Sequence, residues 1–91
     1  MDIEISHEPG RQRFVAIVEG EECTIDYALA GATMTINHTF VPPRLGGRGI
    51  AGALARFALD TAKDQGWKVV PACSYIAGWI EKHPEYRALL V

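Results

Sequence analysis

The sequence predicts an α+β fold: a mixed five-stranded sheet, with four antiparallel strands followed by a helix, a parallel fifth strand and short C-terminal helices. Three observations predict it. Residues 2–41 break into short alternating runs, rich in β-branched residues and separated by tight turns, which is the pattern of an antiparallel meander. After Pro42-Pro43 the hydrophobic period lengthens to that of a helix. One more apolar run, "WKVVPAC", then follows, and a strand reached through a helical crossover lies parallel to the strand before it.

The elements follow in order. "DIEIS" (2–6) alternates as a short first strand, and Pro9-Gly10 in "EPGRQ" turns the chain. "RFVAIVE" (13–19) is the second strand, closed by "EGEE"; "CTIDYALA" (23–30) is the third, turned by "AGA". "TMTINHTFV" (33–41) is the fourth, and Pro42-Pro43 ends it because proline cannot donate to a ladder. In a helix over 49–65, Ile50, Leu54, Phe57, Ala58 and Ala62 share one face, while Arg56, Asp60, Lys63 and Asp64 point outward. Gly66 stops it. The fifth strand covers 68–72, Ser74 caps a helix "YIAGWIEKH", and Pro84 opens a last helical piece, "PEYRALL".

Ninety-one residues make one small domain spanning 1–91, without repeats or linkers. With 48% hydrophobic and 22% charged residues the composition is that of an ordinary soluble chain, and no apolar run approaches the ~20 residues of a membrane helix. The acidic, polar start "MDIEISHEPG" is no targeting signal, which leaves the cytoplasm as the expected location, with a monomer or weak dimer. Cys23 and Cys73 fit no zinc spacing and the three histidines are scattered, so no metal is expected. A net charge of −2 speaks against nucleic acid as a partner. The charge is uneven, however. Residues 1–43 are strongly acidic, whereas residues 44–68 hold Arg44, Arg48, Arg56, Lys63 and Lys68 against only Asp60 and Asp64. A compact anionic ligand suits that segment.

The same segment, "RLGGRGIAGALARFALDTA", crowds glycines 46, 47, 49 and 52 against the start of the helix. Glycine weakens helices, so its use there signals close approach of a charged group to the backbone. A Walker A loop is absent, since no GxxxxGK[ST] occurs. Residues 47–52 do spell GxGxxG, but a dinucleotide site needs an acidic residue about twenty positions on, and residues 65–80 contain neither Asp nor Glu. A loop that merely lets the helix pack on the sheet is the plain alternative.

Read as Arg44-Leu45-Gly46-Gly47-Arg48-Gly49, the string is an [RQ]xxGx[GA] pattern between a strand and a helix. It resembles the acetyl-CoA pyrophosphate loop of the GNAT acetyltransferase superfamily, and with "KVVPACSY" the likeness extends over residues 33–80 to a small single-domain branch. The resemblance implies a minimal acetyltransferase using acetyl-CoA as cosubstrate and an amine as acceptor. N–H groups from Gly47 to Ala51, through Arg48, Gly49 and Ile50, would face the pyrophosphate, with Arg44 and Arg48 adding positive potential and Gly46 leaving room. Backbone groups near Phe40 and Val41 would hold the pantetheine arm between splayed fourth and fifth strands.

Many members carry a glutamate base on the fourth strand; here that strand has no carboxylate. Cys73, in the branch's "PxCSY" string and just before a helix N-terminus, is the candidate to accept acetyl or to protonate the leaving thiolate. His38 is the titratable candidate on the fourth strand, as base for the thiol or the acceptor. Tyr75 could donate a proton as the superfamily's tyrosine acid does, but that tyrosine sits deeper in the following helix. Tyr75 is therefore expected to pack beside the cofactor, and Cys23 to pack inside a strand. A CoA-binding or protein-interaction module with little turnover is the competing class.

Overall fold

A computed structural model describes residues 3–91. The chain runs β1 (Ile5–Glu8), β2 (Arg13–Val18), β3 (Glu21–Ala30), β4 (Thr33–Phe40), α1 (Ile50–Gln65), β5 (Lys68–Pro71) and α2 (Ser74–Lys82). Short 3₁₀ turns occupy Pro9–Arg11, Pro43–Leu45 and Pro84–Leu89. The sheet order is β1-β2-β3-β4-β5, with the first three pairings antiparallel and β4–β5 parallel, as the sequence predicts.

Boundaries differ where a turn is tighter than its sequence suggests. Glu19 and Gly20 alone make the β2–β3 turn, both at positive φ (51° and 79°), so Glu21 and Glu22 join β3 and pair with Val18 and Ile17. β1 begins later than the expected strand over 2–6, because its register places Glu8 opposite Arg13 and Ile5 opposite Ala16. Asp2, part of that expectation, lies outside the described residues. The last helical piece is a 3₁₀ turn, after which Leu90 bridges to Val69 on the outer edge of β5.

α1 packs across β2 to β5, and α2 packs on β4, β5 and α1. The core joins Phe14, Ile25, Met34, Ile36 and Val69 of the sheet to Leu54, Leu59, Ile76 and Ile80 of the helices. Phe57 is not on the buried stripe: Ala55 and Leu59 take that place, and Phe57 stands at the rim with its ring edge-on to Phe14 at 5.8 Å. The three buried alanines of α1, at 55, 58 and 62, let the helix settle close to the sheet, which turns the stripe toward them. Tyr86 anchors the C-terminal turn by donating to Asp60 Oδ1 at 2.6 Å. Among the described residues, no helix is long and apolar enough to cross a membrane.

Two irregularities shape the sheet's open end. Asp26 faces His38 while its neighbour Tyr27 faces Ile36, so Asn37 is an extra residue in β4, a β-bulge. The β4–β5 ladder, beginning at Thr33↔Lys68, stops at Ile36↔Pro71, yet β4 continues to Phe40 paired with β3 alone. Ala72 N–H curls back onto Val70 O at 3.1 Å instead of extending the ladder. The last backbone bond between the two segments is Cys73 N–H to Ile36 O at 3.0 Å, so that beyond Ile36 this edge of β4 is unpaired. The result is a cleft between β4 and β5.

Candidate functional site

The glycine loop lies between the 3₁₀ turn and α1. Gly47 and Gly49 adopt φ of 78° and 81°, a region that favours glycine, and Gly49 is the N-cap of α1. A Cβ at either would meet no protein atom within 4 Å, so the backbone conformation, not crowding inside the protein, selects glycine there. Gly46 differs: its N–H is bound to Pro43 O at 3.1 Å, and a Cβ would sit 3.2 Å from that same oxygen. The first intrahelical bond of α1 runs from Ala53 N–H to Gly49 O at 3.0 Å. The N–H groups of Ile50, Ala51 and Gly52 precede it and point out of the helix end. With those of Gly47, Arg48 and Gly49, which find no backbone acceptor among the described residues, they form a donor surface at the positive end of the helix dipole. A cavity of about 230 Å³ opens there, lined by Val41, Leu45, Gly46, Gly47, Gly49 to Gly52, and Tyr75.

Cys73 stands where β4 and β5 part. Its N–H returns to Ile36 O at 3.0 Å, and its thiol lies 3.6 Å from Thr39 Oγ1. Cys73, rather than Ser74, is the N-cap of α2. No formed hydrogen bond caps the helix through the neutral thiol, but a capping side chain faces the N–H groups two and three residues on. Burial pushes the thiol pKa up, and this is outweighed by the N–H of Ile76, the Thr39 hydroxyl and the N–H of Tyr75, which favour the thiolate; the net direction is downward. Tyr75 moves the other way: burial and the nearby sulfur keep its phenol protonated. Cys23 contrasts with Cys73. It is fully buried, and burial followed by the Glu21 carboxylate raises its pKa.

Residues 13–89 match a family model described as GCN5-related N-acetyl-transferase. The chain belongs to that family. Among curated relatives, Protein NATD1 of Xenopus tropicalis and of Gallus gallus are each 31% identical over 85 residues, covering 90% of this chain and 78% and 77% of theirs. Protein NATD1 of Homo sapiens is 31% identical and matched over 75% of its length. A GCN5-like protein from Staphylococcus aureus, solved by NMR, superposes with a TM-score of 0.76 over 97% of this chain and 87% of its own. At 23% identity that likeness speaks for the fold alone.

Within this GCN5-related domain, the structure gathers Val41, the glycine loop and Tyr75 around one cavity and sets Cys73 beside Thr39. It does not bring His38 to Cys73. Uninterrupted alternation from Met34 and Ile36 would carry His38 and Phe40 onto the inner face, but the Asn37 bulge shifts the phase by one residue. Thr39 and Val41 therefore turn inward, while His38 and Phe40 are exposed and stack on each other with ring centroids 6.5 Å apart. Arg44 and Arg48 do not line the cavity either; both side chains bind Glu19 on the β2–β3 turn. Sequence reasoning missed Thr39, Leu45 and the cavity face of Gly52. Gly52 alone carried a signal, as a helix-weakening residue inside the first turn. Among the described residues, no group of three or more His, Cys, Asp or Glu side chains is placed to hold a metal ion.

Proposed function

We propose that this domain binds acetyl-CoA across the glycine loop and the β4–β5 cleft and passes the acetyl group to an amine through Cys73. The observation that carries the proposal is the Cys73 sulfur at the mouth of the cleft, facing helix N–H groups that favour its thiolate. The pyrophosphate would lie on the N–H groups of Gly47 to Gly52, and the pantetheine arm would run past Val41 and Tyr75 along the β4 edge left free beyond Ile36.

In the first step the Cys73 thiolate attacks the thioester carbonyl. A new S–C bond forms and the bond to the CoA sulfur breaks. The Tyr75 phenol, kept protonated and lining the cavity, can give its proton to the departing CoA thiolate. In the second step a neutral amine attacks acetyl-Cys73, and the N–C bond forms as the bond to the Cys73 sulfur breaks. The proton released by the amine nitrogen returns to the Tyr75 phenolate, restoring both the thiolate and the phenol. Because the thiol is already poised to ionise beside Thr39 and α2, it needs no histidine base. His38, exposed on the outer face of β4 and stacked on Phe40, takes no part in either step.

The test is transfer of acetyl to a panel of primary amines by the wild-type protein and by Cys73→Ala, with CoA affinity measured in parallel. Lost transfer with CoA affinity retained supports the proposal. CoA binding without transfer in either protein would make the domain a binding module.

A further inference from the structure

Arg44 and Arg48 bracket the glycine loop, and a carboxylate is already seated between them. Arg44 donates from Nη1 to Glu19 Oε1 at 2.9 Å and from Nη2 to the Glu19 carbonyl at 3.2 Å. Arg48 Nη1 donates to the other carboxylate oxygen, Glu19 Oε2, and Arg44 Nε meets Glu21. Two guanidiniums thus share both oxygens of one anion, an arrangement that suits phosphate oxygens equally well.

Neither the turn nor folding explains why a glutamate occupies this position. Glu19 has φ of 51° at the first place of a two-residue hairpin turn, where Asn, Asp or Gly is favoured. All three side chains are more than a third exposed, and ion pairs so exposed add little to stability.

We propose that Glu19 is a resident counter-anion on a phosphate-monoester subsite, and that the 3′-phosphate of CoA displaces it and is gripped by Arg44 and Arg48. This rests on the acetyl-CoA reading above. The backbone N–H groups of the loop suit the pyrophosphate, whereas the 3′-phosphate is a separate dianion on the ribose and needs its own cations. A phosphate dianion carries more charge and more acceptor oxygens than the carboxylate it replaces, and the rest of the ligand holds it in place. Glu19 then acts as a specificity filter: it keeps the arginines paired when no phosphate monoester arrives.

The experiment is calorimetric titration of CoA and of 3′-dephospho-CoA into wild type, Arg48→Gln and Glu19→Gln, with circular dichroism to confirm folding. Wild type should prefer CoA by about tenfold, the scale of charge-assisted bonds at a partly exposed site. Arg48→Gln should bring the ratio close to one. Glu19→Gln should widen it by about threefold by tightening CoA, since one opposing charge is removed. Equal wild-type affinities, a ratio unchanged in Arg48→Gln, or a Glu19→Gln variant that weakens both ligands alike would overturn the inference while leaving CoA binding intact. Failure of both ligands to bind wild type would instead remove the acetyl-CoA reading itself.

Discussion

Replacing Gly52 by alanine should stabilise the domain and impair ligand binding at the same time. Gly52 is the third residue of α1, where glycine is a poor helix former. A Cβ built there would lie 3.6 Å from Trp79 Nε1 and 3.8 Å from the Tyr75 hydroxyl, ordinary contacts that demand no movement. The gain in helix propensity is about 0.5–1 kcal/mol, or roughly 2–8 °C in Tm for a domain of this size. The same methyl would stand beside the Tyr75 hydroxyl, and Gly52 and Tyr75 both line the cavity. Forcing an extra methyl between a seated ligand and its wall costs about 1–3 kcal/mol, so CoA affinity should fall by roughly five- to 150-fold. Thermal unfolding and calorimetry on the same preparation read both effects. A stabilised variant with unchanged CoA affinity would show that the ligand does not pass Gly52. A destabilised one would refute the account of the helix start.

Gly49→Val should abolish measurable CoA binding by calorimetry, because a β-branched residue resists φ of 81° and the loop N–H groups would turn away. Leu54, fully buried between α1 and the sheet, should cost about 2–5 kcal/mol on substitution by alanine, read as a lower urea midpoint. His7 lies 2.6 Å from the Tyr27 hydroxyl and stacks on Phe14, and burial lowers its pKa from 6.5. The unfolded chain therefore takes up this proton first, so stability should hold above about pH 6.5 and decline as pH falls through that value toward the depressed folded pKa. His7→Gln should lose less stability between pH 7 and 5 than wild type, measured by urea unfolding at each pH.

Much of this architecture is legible from residue order because the alternation of β2, β3 and early β4, and the helical period after Pro43, follow directly from which side chains must leave water. The donor loop is legible for a similar reason: glycine at 47 and 49 is demanded by positive φ, so the string itself carries the geometry. The inner face of late β4 is not legible. Asn37 adds one residue to the strand without any glycine or proline to mark it, and that one residue exchanges His38 for Thr39 beside the thiol. The pairing of Arg44 and Arg48 with Glu19 was equally hidden, since it joins residues 25 and 29 positions apart that only the hairpin brings together. "EGEE" and "RLGGR" are opposite in charge, but opposite charge does not fix proximity. The position of Cys73 was readable to one residue; its place as the N-cap itself, which aligns the sulfur with the N–H groups of Tyr75 and Ile76, depends on where α2 starts.

Intact-mass spectrometry of the protein incubated with acetyl-CoA tests most directly whether the acetyl group travels through Cys73. One acetyl should appear on Cys73 in the absence of an amine, with Cys23 unmodified because it is fully buried and its pKa is raised. The rate of labelling should rise with pH and level off below the ~8.5 of a free thiol, since the Cys73 pKa is shifted down. Adding a primary amine should discharge the adduct and yield one acetylated amine for each acetyl lost. An adduct that persists while acetylated amine accumulates, or product formed at the wild-type rate by Cys73→Ser, would contradict transfer through the cysteine.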